Sequence, residues 1–92
     1  MKNLKDYKLI TGVFSPSDAK EILLNVYNGK IQFHQMKNFS SKERFGKEDK
    51  VAIKRIPQLK KSLEKLIKQI TKAEKQKKQI NLSADIFIEI CD

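Results

Sequence analysis

Residues 56–90, IPQLKKSLEKLIKQITKAEKQKKQINLSADIFIEI, carry two different hydrophobic periods in succession. In the first half Ile56, Leu59, Leu63, Leu66, Ile70 and Ala73 recur at alternating spacings of three and four. That spacing places one apolar stripe along a helix. A lysine-rich break follows at Lys75 to Lys78. Beyond it Ile80, Leu82, Ala84, Ile86, Ile88 and Ile90 occupy every second position. Period two marks a strand with one buried face. A long helix handing over to a strand points to an α+β chain.

The N-terminal part has the complementary order. Tyr7, Leu9, Thr11 and Val13 alternate with Lys8, Ile10, Gly12 and Phe14, rich in β-branched and aromatic residues, so a strand is expected over about 6–14. Ser15 suits a helix N-cap, Pro16 the first helical position and Asp18 the first turn. A helix is expected to run from there to about Tyr27, burying Ala19, Ile22, Leu23, Val26 and Tyr27, and to stop at Asn28-Gly29. Lys30 to Phe39 reads two ways. Ile31 and Phe33 alternate as in a strand, whereas Phe33, Met36 and Phe39 or Ser40 step as in a helix, and the short helix is preferred.

Ser40 and Glu43 have capping-box spacing, with the turn after them ending at Phe45-Gly46. Gly46 to Lys50 is a charged loop, and Asp49 is placed to cap the long helix. Pro57 interrupts that helix, at about 3 kcal/mol for an interior proline. Val51, Ala52, Ile53 and Ile56 continue its apolar face, so a kinked or two-piece helix from about Lys50 is expected. The predicted order is β-α-(α)-α-β in a single domain over residues 1–92. The terminal strands pair in a small sheet with the helices on one face.

Composition narrows the function classes. A chain of 92 residues supports one thin core, which makes a partner chain a real option. No run approaches the roughly 20 apolar residues of a membrane span. Lys2 and Lys5 are followed by no apolar leader, and the single cysteine, Cys91, allows no intrachain disulfide, so a cytoplasmic location is expected. One histidine and one cysteine make no nitrogen/sulfur metal site, and the isolated glycines make no phosphate loop. No cofactor and no catalysis are expected.

The net charge is +9, but among 20 basic residues only Arg44 and Arg55 are arginine. Lysine attracts polyanions without the bidentate fork that reads bases. Lys61, Lys65, Lys68, Lys72 and Lys75 form a ridge that Lys54 extends, spanning about 31 Å at the helical rise. It serves either as a phosphate-tracking face or as a solvated one. The heptad-like stripe on the same helix could seal a dimer, but it is short, lacks complementary flanking charges, and is widened by Ile67, which suits an intramolecular core.

The scarce arginines suggest bidentate or stacked contacts, with internal ion pairs as the plainer reading. His34 lacks a nucleophile or orienting carboxylate near it in sequence, and Cys91 sits at a chain end. The strings Lys30-Ile-x-Phe-His34 and Glu43-Arg-Phe-Gly46 resemble those of small uncharacterised bacterial proteins, a resemblance covering most of the chain. It implies no activity, but it groups His34, Glu43, Arg44, Phe45 and Gly46 as one unit. The expectation is a small bacterial binding module acting through a protein partner or a second copy of itself, with His34, Arg44, Phe45 and Arg55 as contact residues. The rival is a nucleic-acid accessory protein using the lysine ridge.

Overall fold

The computed structural model describes residues 5–92 and has the order β1 (Lys5–Phe14), α1 (Pro16–Phe45), α2 (Lys50–Lys75), β2 (Ile80–Ile88). Lys2, weighed above for a leader, lies outside the described residues. The two strands pair antiparallel as a two-stranded ribbon, and the helices form an antiparallel hairpin beneath one face of it.

The boundaries expected between Pro16 and Phe45 are overturned. α1 does not stop at Asn28-Gly29 but runs unbroken for 30 residues, absorbing both the ambiguous 30–39 segment and the expected cap at Ser40. A helix-interior glycine loses about 1 kcal/mol relative to alanine. Burial of Ile31 and His34 against α2, beyond that glycine, outweighs it. The start is as expected: the Ser15 hydroxyl accepts the Asp18 N–H at 3.1 Å, with Pro16 in the first turn. The end falls at Gly46, whose φ of 63° is left-handed and whose N–H donates to the Lys42 carbonyl at 2.9 Å.

α2 begins at Lys50 and passes through Pro57 as a single helix rather than two pieces. Asp49 caps it, accepting the Ala52 N–H at 3.0 Å. Its stripe of Ile56, Leu59, Leu63, Leu66, Ile70 and Ala73 is buried or half-buried throughout. It faces a stripe on α1 made of Ala19, Leu23, Tyr27, Ile31, His34 and Asn38, so the heptad pattern is spent within the chain.

In the ribbon, Lys8 pairs with Asp85 and Ile10 with Ala84, leaving Leu9 as an extra residue in β1. This bulge shifts the phase of β1 by one residue. Tyr7 therefore shares a face with Ile10, Gly12 and Phe14, opposite Ile86, Ala84, Leu82 and Ile80. Lys8 and Asp85 meet at 4.0 Å on the other face. Gly12, at φ 143°, sits under the Phe14 ring, which lies 3.6 Å from where a Cβ would be.

Phe14, Ile80 and Leu82 pack onto Ala19, Leu23, Leu66 and Ile70. The inner face then outruns the helices. Ile86 and Ile88, on the alternation that marks a buried strand face, are 46% and 52% exposed, and Tyr7 is 55% exposed. β2 ends at Ile88, which pairs with Lys5, so Ile90 lies past the ladder formed by the described residues. No helix among the described residues is long and apolar enough to cross a membrane.

Candidate interaction surfaces

The four expected contact residues fall in three places. His34 is 6% exposed, on the α1 stripe that faces α2. Its ring meets Phe33 edge-on at 5.3 Å, and its Nε2 is buried with no hydrogen-bond partner among the described residues. Burial lowers its pKa below the ordinary 6.5, the Lys30 and Arg55 charges lower it further, and Asp49 opposes them. Arg55 lies exposed on α2 and donates to the Gln58 side-chain oxygen at 2.7 Å.

Arg44 and Phe45 end α1, both exposed, beside a shallow cleft shared with Lys37, Ser40, Ser41 and Asp49. Nine residues of helix, about 14 Å of rise, separate His34 from Glu43. The two strings of the resemblance thus belong to different surfaces. Around the cleft the interhelical turn is tightly tied. The Ser41 hydroxyl donates to the Lys47 carbonyl at 2.8 Å, Asn38 accepts the Asp49 N–H at 2.8 Å, and Lys42 pairs with Glu48 at 3.3 Å. Those bonds hold the turn's shape and leave the Arg44 guanidinium free of ion pairs among the described residues.

Lys54, Lys61, Lys65, Lys68, Lys72 and Lys75 are all exposed along α2, and none has a carboxylate within 4 Å among the described residues. Lys68 also borders a groove between the helices on the side away from the ribbon, floored by Ile31, Leu63 and Ile67. No group of three or more potential metal ligands occurs among the described residues.

A surface that the sequence reading missed runs along α1. Ile22, Val26, Gly29, Phe33 and Met36 recur at spacings of four, three, four and three, displaced around the helix from the stripe that meets α2. Ile22 is half-buried; Val26, Phe33 and Met36 are exposed, Phe33 at 52% and Met36 at 59%. The spacing was present in the sequence, but placing a helix end at Gly29 cut it in two. Val26 also shares a cleft with Leu9 and Ile10 of β1. The α1 stripe and the overhanging ribbon face therefore meet there.

The fold leaves much apolar surface uncovered. Its accessible surface is 7779 Å². A folded monomer of this mass typically exposes about 5,500 Å². The radius of gyration is 16.6 Å, against about 12 Å for a compact chain of this length. No large side chain is fully buried among the described residues. No protein-family model, curated protein or solved structure matches the chain.

Proposed function

We propose that the chain is a non-catalytic interaction module that completes its core against a protein partner, and that this partner is a second copy of itself. The exposed area carries the reading. The excess over a typical folded monomer is about 2,300 Å², nearly three times the roughly 800 Å² each partner gives up in a standard interface. Among the described residues both strands of the ribbon also have an unpaired edge, a ready site for strand addition. The exposed thiol of Cys91 suits a reducing compartment such as the cytoplasm.

Light scattering coupled to sizing tests this directly. The expected result is a particle of about twice the 10.7 kDa chain mass, with an unfolding midpoint that rises with protein concentration. A stable monomer whose midpoint is independent of concentration overturns it.

The unpaired lysine row supports a second reading, attachment to the phosphate backbone of nucleic acid. Salt separates the two. Association of chains carrying +9 each strengthens as salt screens their repulsion, whereas phosphate binding weakens.

A further inference from the structure

We infer that α1 is the dimer seam: a second copy of this chain lays its own α1 antiparallel along Ile22, Val26, Gly29, Phe33 and Met36, with Gly29 on the two-fold axis. The inference rests on the self-association proposed above and names the surface that performs it.

Gly29 is the starting point. It lies in the middle of a 30-residue helix, adopts no left-handed conformation, and an added Cβ would meet nothing within 4 Å among the described residues. Neither the backbone nor the packing of its own chain calls for a glycine. A missing side chain on an exposed helix face does serve one purpose, the close approach of another backbone.

The residues around Gly29 make that approach self-complementary. A two-fold axis at Gly29 brings Ile22 opposite Met36 and Val26 to within one residue of Phe33, so each branched side chain meets a long or aromatic one. An isologous interface requires such a match between a surface and itself. The stripe from Ile22 to Met36 spans about 21 Å, or four helical turns. No acidic or basic residue interrupts these five positions. Lys30 and Lys37 flank the seam on one side, and Lys30 sits over the Phe33 ring at 5.0 Å.

The ribbon supplies the rest of the surface. Its inner face continues past Val26 through Tyr7, Ile86 and Ile88, all exposed. A partner helix seated on the α1 stripe comes up against this apolar overhang. One docking event thus reaches both uncovered surfaces, as the large exposed area requires.

Analytical ultracentrifugation of the full chain and two variants tests the inference. Gly29→Leu fills the point of closest approach yet favours helix, so it leaves the fold of the chain intact. Phe33→Glu puts a charge in the seam. Both are expected to raise the dimer dissociation constant at least tenfold with helical circular dichroism unchanged. In a Cys91→Ser background, Gly29→Cys is expected to give a disulfide-linked dimer on mild oxidation, while Gln35→Cys, off the seam, does not. A dimer indifferent to Gly29→Leu and Phe33→Glu overturns the α1 seam and leaves self-association standing. A wild-type chain that is monomeric at every concentration overturns both.

Discussion

Asn38 and Asp49 lock the turn between the two helices. The Asn38 side-chain oxygen accepts the Asp49 backbone N–H at 2.8 Å, and the Asp49 carboxylate accepts the Ala52 N–H at 3.0 Å. One residue thus anchors the turn to α1 and starts α2. Asp49→Ala removes the cap and is expected to destabilise the chain by about 1–2 kcal/mol. Asn38→Leu leaves a partly buried N–H unpaired, at about 1–3 kcal/mol. Because the residues share one network, the double variant is expected to lose less than the two losses added. Urea unfolding of the four proteins measures this, and strict additivity would contradict the shared network.

Ile70 joins Ala19 and Leu23 in the buried cluster where the ribbon root meets both helices. Ile70→Ala is expected to lose about 2–5 kcal/mol by transfer and cavity terms. Ile90, past the end of the ladder and 90% exposed, serves as its control: Ile90→Ala is expected to stay within about 0.5 kcal/mol of the parent. Thermal melts of both at one protein concentration check the contrast. Equal effects would show that the core is not centred at the ribbon root.

His34 is expected to make the fold sensitive to acid. Its native pKa lies below the ordinary 6.5, through burial first and then the charges of Lys30 and Arg55, with Asp49 opposing. Between that lowered value and 6.5 the unfolded chain binds a proton that the native chain does not, so stability rises with pH across this window. The full contribution is present above 6.5 and is lost as the pH falls. His34→Leu, which also removes the unpaired Nε2, is expected to flatten this dependence and to raise the midpoint at low pH. Denaturation midpoints across the acidic range test it; an unchanged slope in the variant would assign the acid sensitivity to other groups.

The lysine row gives a prediction for the nucleic-acid reading alone. Exchanging Lys61, Lys68 and Lys75 for Gln is expected to weaken binding alike on all sequences, and to flatten the salt dependence by about one unit of slope per lost phosphate contact. The measurement is filter retention over a salt series. If the parent chain retains neither duplex nor single strands at low salt, the row is a solvated face.

The sequence by itself determined the elements whose signal is local. The stripe from Ile56 to Ala73, the alternation from Ile80 to Ile88, and the caps at Ser15, Gly46 and Asp49 stand in the structure where the residues placed them. Periodicity and capping act within a few residues, so they survive in a linear reading. Three features needed the tertiary structure. α1 continues through Gly29 because Ile31 and His34 find cover on α2, a partner some twenty residues away in the chain. The bulge at Leu9 is set by which residue of β2 stands opposite, and it alone puts Tyr7 on the inner face with Ile86. Burial also divided each apolar pattern. The same alternation that covers Ile80 and Leu82 leaves Ile86 and Ile88 open, because the ribbon extends past the helices beneath it. A hydrophobic period states that a face must be covered; only the packed chain shows how much of that face its own helices reach.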